Sequence, residues 1–337
     1  MSVYPWQSAQ WLQIKKMAQH QFPHALLLSG CAGLGKQAFA EHLARWLLCD
    51  VAKEQQLDAP CGECQACHLL AAGNHSDYIE VLREEKSKVI KVDQVRALID
   101  ALSQTSMRDG MQVVMMYPAD CMHAAAANAL LKTLEEPPGN VVFILVCDYL
   151  YRLPATVLSR CQRLDFNTDE SLASLPWLEQ QVKDSGRCEE ALRLANHAPL
   201  LAQTFLTSGY VSLRDTIYAG LLSILKREQD PVALAKDCEK SEVDWVFRII
   251  LTLSMDMIRL RLGASLTHIM HQSFGSSLHD LANKVDPVQL LRFYQDVQQQ
   301  HQMIIGGLQP NVLLLLEALF ISCCDLLSGA KSMKGAV

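Results

Sequence analysis

Apolar residues along this chain follow two rhythms, and the change between them divides it. Over residues 1–166 short apolar runs alternate with stretches of helical period. That is the pattern of strands covered on both faces of a parallel sheet and joined by crossover helices. The runs at 25–29, 78–82, 112–116, 141–146 and 163–166 are the expected strands, and 37–48 and 92–102 read as amphipathic helices between them. Strands and helices alternating this way make a doubly wound α/β domain. After Phe166 the strand pattern stops. A short helical region covers 167–208, punctuated by Pro199 and Gly209. Long helical periods follow at 213–226, 231–238, 243–262, 278–285, 287–305 and 312–327. They predict an all-α bundle, a separate C-terminal domain over 209–328. The tail at 329–337 reads as disordered.

Composition narrows the functional classes. At 337 residues the chain exceeds one small core, and with 50% apolar and 20% charged residues it has the balance of a soluble globular protein. A formal net charge of −6 opposes a chain that grips nucleic acid alone, because neutralising phosphates takes concentrated Lys and Arg. The start, Met1-Ser2-Val3-Tyr4-Pro5-Trp6-Gln7, has no basic stretch followed by an apolar core, so no secretory leader is expected. The most lipid-like run, 312–327, is short for a membrane span and contains Glu317. A cytoplasmic protein with no membrane contact is expected.

Twelve cysteines in such a chain point to metal binding or burial rather than disulfides. Eight are scattered in apolar company and read as small hydrophobes. The other four are not scattered. Cys61-Gly62-Glu63-Cys64-Gln65-Ala66-Cys67 sets three thiols at three-residue intervals, with Cys49 upstream. Thiolates so spaced converge on one ion across a tight turn, and a closed tetrahedral sulfur set suits structural Zn²⁺. The fourth ligand is Cys49, or His68 or His75 in its place. An iron–sulfur run would continue to a further Cys followed by Pro, whereas His68-Leu69-Leu70-Ala71 follows here. Unligated cysteines are the bland alternative, but three thiols in so short a run are hard to explain as packing.

After the first apolar run comes Gly30-Cys31-Ala32-Gly33-Leu34-Gly35-Lys36-Gln37. Strand, glycines, lysine and helix occur in the order of a phosphate-binding loop, in which Gly30, Gly33 and Gly35 let backbone N–H groups cradle phosphate and Lys36 neutralises it. An ordinary strand-to-helix turn is the plain alternative. The position after the lysine should carry a Ser or Thr hydroxyl for Mg²⁺ and carries Gln37 instead. The third strand should end in acidic residues and ends in Tyr117-Pro118, with Asp120 beyond the expected positions. Losing a positioned general base alone forfeits about 10²- to 10⁴-fold in rate. The loop is therefore either an occupied cradle or a vestigial one, and hydrolysis by this chain is not expected.

The run Asn128-Ala129-Leu130-Leu131-Lys132-Thr133-Leu134-Glu135-Glu136-Pro137-Pro138, followed by Ser159-Arg160-Cys161, resembles the clamp-loader branch of the AAA+ ATPases. The matching positions cover 24–166. The resemblance implies an AAA+ P-loop domain over 1–166 with a zinc-binding insertion at 49–67, a small helical lid at 167–208 and an oligomerising helical collar at 209–328. It further implies that Arg160 reaches in trans, as an arginine finger, into the ATP site of a neighbouring subunit. A guanidinium suits that task, being permanently charged and forked to meet phosphate oxygens. The family's sensing Thr after the fourth strand maps onto Cys147 or Asp148, and its lid Arg has no match in 196–200. The implied setting is a five-subunit ring with ATPase motor subunits that opens a sliding clamp and places it on primed DNA. Two rival readings face the same residues. An ATP-hydrolysing motor subunit of the same loader should carry Lys-Thr or Lys-Ser and an Asp-Glu pair, and a stand-alone zinc protein that binds DNA should be basic.

Overall fold

The computed structural model describes residues 3–20, 22–52, 55, 57–84, 87, 89–102, 110–168, 174–182, 185–305 and 311–328. The tail expected at 329–337 lies outside them. The chain divides into two compact units, Met1–Leu178 with His197–Leu201, and Glu179–Asn196 with Ala202–Val337.

The first unit is α/β. In order it runs α1 (Ser8–Ala18), β1 (Ala25–Ser29), α2 (Lys36–Leu48), α3 (Gln65–Ala71), β2 (Tyr78–Leu82), α4 (Val92–Leu102), β3 (Gln112–Tyr117), α5 (Ala124–Glu135), β4 (Val141–Cys147), α6 (Ala155–Leu158) and β5 (Gln162–Asp165). The strands form one parallel sheet in the order β2-β3-β4-β1-β5. The side chains of β1, β3 and β4 alternate between two cores. Leu26, Leu28, Val113, Met115, Ile144 and Val146 join Trp11 and Ile14 of α1 and Phe39 and Leu43 of α2. Leu27, Val114, Met116, Phe143 and Leu145 face Val95 and Leu98 of α4 and Leu130 and Leu134 of α5. Covering both faces explains why these inner strands read as unbroken apolar runs.

The outer strand β5 lacks that cover. It is Gln162-Arg163-Leu164-Asp165 with only Leu164 buried, so its span begins one residue before the predicted one, and buried Phe166 follows the strand. Two helices carry weak apolar signals. Only Gln10, Trp11 and Ile14 of α1 are buried, and α3 interrupts what reads in sequence as an irregular insertion at 49–67. Because the strands are parallel, the ends of β1, β3 and β4 meet on one edge of the sheet, where ligands bind in open α/β folds.

The second unit is helical. Of the remaining helices, α7 (Ser174–Gln181) and α9 (Pro199–Thr207) begin in the first unit and run on into the second, which also holds α8 (Cys188–Leu194), α10 (Tyr210–Leu225), α11 (Pro231–Cys238), α12 (Val243–Arg261), α13 (Gly275–Lys284), α14 (Pro287–Ile305) and α15 (Val312–Ser328). Its core draws Phe247, Ile250 and Leu253 from α12 and Leu316, Leu319 and Phe320 from α15. Arg214, fully buried on α10, gives its guanidinium to Glu190 (2.8 Å) and Asp215 (3.0 Å) and lies 4.8 Å over the Phe274 ring. A charge is taken out of water here only with partners on hand. Among the described residues no helix is long and apolar enough to cross a membrane.

Candidate functional site

The phosphate loop leaves β1 at Gly30 and enters α2 at Lys36. Gly33 and Gly35 take left-handed φ values of 85° and 79°, which cost a side chain dearly. Their missing side chains also admit neighbouring chain. A Cβ on Gly33 would lie 2.6 Å from the Leu201 Cβ, and one on Gly35 would lie 2.8 Å from the Tyr4 ring. The Leu34 carbonyl accepts hydrogen bonds from the Trp6 indole (3.0 Å) and the Gln7 amide (2.8 Å), and the Gly33 carbonyl accepts one from the Leu200 N–H (3.0 Å). Tyr4 stacks on Trp6 at 4.7 Å, and Trp177 meets both edge-on. The protein's own side chains thus roof one side of the loop. Sequence carried no signal for this roof, since Tyr4-Pro5-Trp6-Gln7 shows no periodicity.

Lys36 is engaged inside the unit. Its Nζ donates to Asp148 Oδ1 at 2.6 Å and to the Cys31 carbonyl at 2.7 Å, and its side chain is 3% exposed against 16% for Asp148. The Asp148 N–H donates in turn to Asp120 Oδ1 at 3.0 Å. Burial, with the Asp148 charge adding to it, holds the Asp120 carboxyl above its ordinary range, and burial followed by the same two carboxylates raises the Tyr117 phenol. Gln37, where a metal-holding hydroxyl belongs, donates instead to Glu41 Oε1 at 3.1 Å, one turn along α2. The sheet edge therefore holds Lys36, Asp148 and Asp120, with the charges of Arg152 and Arg83 acting on Asp120 and Tyr117, and Gln37 stands in place of a hydroxyl after the lysine.

Arg160 sits elsewhere on this unit, just after α6. Its Nε donates to Glu135 Oε1 at 2.7 Å, its Nη2 also meets Glu135, and its Nη1 donates to the Thr156 carbonyl at 2.7 Å. Its side chain is 31% exposed and that of Glu135 49%. The run that ends α5 and the turn that carries Arg160 thus meet through one solvated ion pair. Sequence gave Glu135 no such role.

The four thiols Cys49, Cys61, Cys64 and Cys67 all lie within 4.8 Å of one another, and His68 and His75 are not in the group. The Sγ atoms of Cys49 and Cys61 are 3.5 Å apart, those of Cys49 and Cys64 3.9 Å, and those of Cys61 and Cys67 3.9 Å. Sulfurs 2.3 Å from one tetrahedral ion stand about 3.8 Å apart, so the set fits a single metal. Peptide N–H groups of Cys61, Cys64 and Cys67 each point at the sulfur of Cys49, Cys61 and Cys64 respectively, at 3.4 Å. The N–H groups of Glu63 and Cys64 bring the Cys61 thiol down to about 7, whereas burial raises Cys64 and Cys67. Donors aimed at sulfur stabilise the thiolate form that metals need.

Comparison with known proteins agrees with both halves of the chain. Residues 6–170 match the family described as DNA polymerase III, delta subunit, and residues 209–323 match DNA polymerase III, delta subunit, C terminal. The DNA polymerase III subunit delta' of Pseudomonas aeruginosa is 36% identical over 333 residues, covering 96% of this chain and 98% of that protein. Its Escherichia coli counterpart is 30% identical over 306 residues, covering 86% of each. The DNA polymerase III subunit tau of Bacillus subtilis is 36% identical over 157 residues, 47% of this chain and 27% of that protein.

Proposed function

The chain belongs to the delta' subunits of DNA polymerase III, and from that premise we propose that it is a non-hydrolysing subunit of the replicative clamp loader. In this reading it turns over no ATP of its own and places Arg160 in trans at the ATP site of a neighbouring motor subunit. Its partners are the motor subunits and the delta subunit in a five-subunit ring, the sliding clamp, and primed DNA held by the complex, all in the cytoplasm. The helices of 209–328 would form the collar that joins the ring, and 167–208 the lid. The observation that carries the reading is the pairing of Lys36 with Asp148, which leaves a triphosphate no free lysine while Arg160 stays at the surface.

The test is ATP turnover by the reconstituted loader within the DNA polymerase III holoenzyme. The isolated chain should hydrolyse none. Arg160→Ala should slow turnover at the one site that it serves, since a finger contributes about 10³- to 10⁵-fold there. Unchanged turnover would remove the assignment. The motor-subunit alternative finds no support, because Gln37 is spent on Glu41 and β3 ends in Tyr117.

Cys49, Cys61, Cys64 and Cys67 are proposed to hold a structural Zn²⁺ that pins the end of α2 to α3. Four protein ligands leave no open position, so the ion would supply stability rather than catalysis. One zinc per chain is expected by elemental analysis, lost together with thermal stability in Cys64→Ser. A chain purified without metal and equally stable would exclude it.

A further inference from the structure

Asp148 supplies the negative charge that neutralises Lys36. Its carboxylate is the anion at Lys36, at 2.6 Å, and its backbone is fixed by the bond to Asp120 and by the end of β4. The rest of the loop keeps the form of an anion cradle: Gly33 and Gly35 in left-handed conformation, α2 beginning at Lys36, Ala32 exposed, and Cys31, Gly33 and Gly35 half-buried. The roof of Trp6 and Gln7 is bonded to a carbonyl, that of Leu34, and takes up none of the loop N–H groups.

We propose that Asp148 is a built-in counter-ion that keeps a latent nucleoside-diphosphate site at Gly30–Lys36 closed. A tethered anion faces Lys36 at an effective concentration of about millimolar or more, so a free diphosphate must compete with it. The loop geometry needed for binding is retained, and one side chain withholds the charge. This inference rests on the reading that the chain turns over no nucleotide, and it is read out by binding to the isolated full chain, whereas that reading is tested by turnover in the assembled loader.

The experiment titrates ADP into the native chain, Asp148→Asn and the double variant Lys36→Met/Asp148→Asn. The Asn keeps an oxygen for Lys36 and removes the competing charge. Asp148→Asn should bind ADP at least about tenfold more tightly than the native chain, and the double variant should lose that gain. Equal affinity of native chain and Asp148→Asn, or a folded Asp148→Asn with no gain, would overturn the proposal. So would a gain that survives in the double variant. Should Asp148→Asn fail to fold, acylation of Lys36 in the native chain, read by mass spectrometry, still decides it. ADP should leave that rate unchanged, and protection by ADP would show that the site is already open.

Discussion

Lys36 and Arg160 are both cations bonded to a single carboxylate, yet their surroundings give the two pairs opposite meanings. Lys36 is sealed, with a second bond to the Cys31 carbonyl and a partner anchored through its own N–H. Arg160 and Glu135 are half in water on a helix end and a short turn. A buried pair strongly resists losing either member, whereas a solvated pair of this kind is worth about 0–1 kcal/mol. A weak pair can hold an arginine in place and still release it to a stronger anion. The lesson is that the availability of a charge depends on its desolvation more than on the presence of a partner.

The comparison can be broken most directly with matched deletions. Asp148→Ala should destabilise the sheet unit by about 3–5 kcal/mol, because it strands the Lys36 charge in the interior. Glu135→Ala should cost at most about 1 kcal/mol, because water replaces the carboxylate at Arg160. Denaturant unfolding of the full chain measures both, and similar costs would erase the distinction. An intermediate effect is expected from the other side of the sealed pair. Lys36→Met should cost about 1–3 kcal/mol, less than Asp148→Ala, because Asp148 reaches solvent and Lys36 does not.

The smallest expected effect is one of pH. Burial lifts the Asp120 carboxyl above its ordinary 3.8, so the folded state favours its protonated form. The stabilisation from that proton is fully present below about 4, where the unfolded chain is also protonated, and is lost as pH rises through the raised folded value. Asp120→Asn, which keeps an acceptor for the Asp148 N–H, should therefore flatten the fall in stability across that window. An unchanged slope would assign the pH dependence to other groups.

What could be read in the sequence followed physical locality. The inner strands were legible because covering both faces forces unbroken apolar runs, and β5 was displaced because the apolar Phe166 lies just beyond it. The thiols at 61, 64 and 67 were legible from spacing. Spacing alone does not choose the fourth among Cys49, His68 and His75, since a ligand across an insertion has no fixed interval, and in the fold it is Cys49 that stands 3.5 Å from Cys61. The pairing of Lys36 with Asp148 spans 112 positions and that of Arg160 with Glu135 spans 25. No periodicity reports contacts of that range. Sequence marks Cys147 or Asp148 as changed from the family pattern without showing where the new carboxylate points.

The register of β1 on β4 adds a kinetic consequence. Ser29 and Cys147 are paired across these strands, so the loop and Asp148 depart from the same rung of one ladder. Parting the two strands at that rung would break sheet hydrogen bonds, whereas Lys36 and Asp148 both lie beyond the ladder. Separation can proceed by χ rotation of the two side chains alone, a local rotamer event. Release of Lys36 from its carboxylate is thus open to the torsions of single residues, with the sheet beneath left intact.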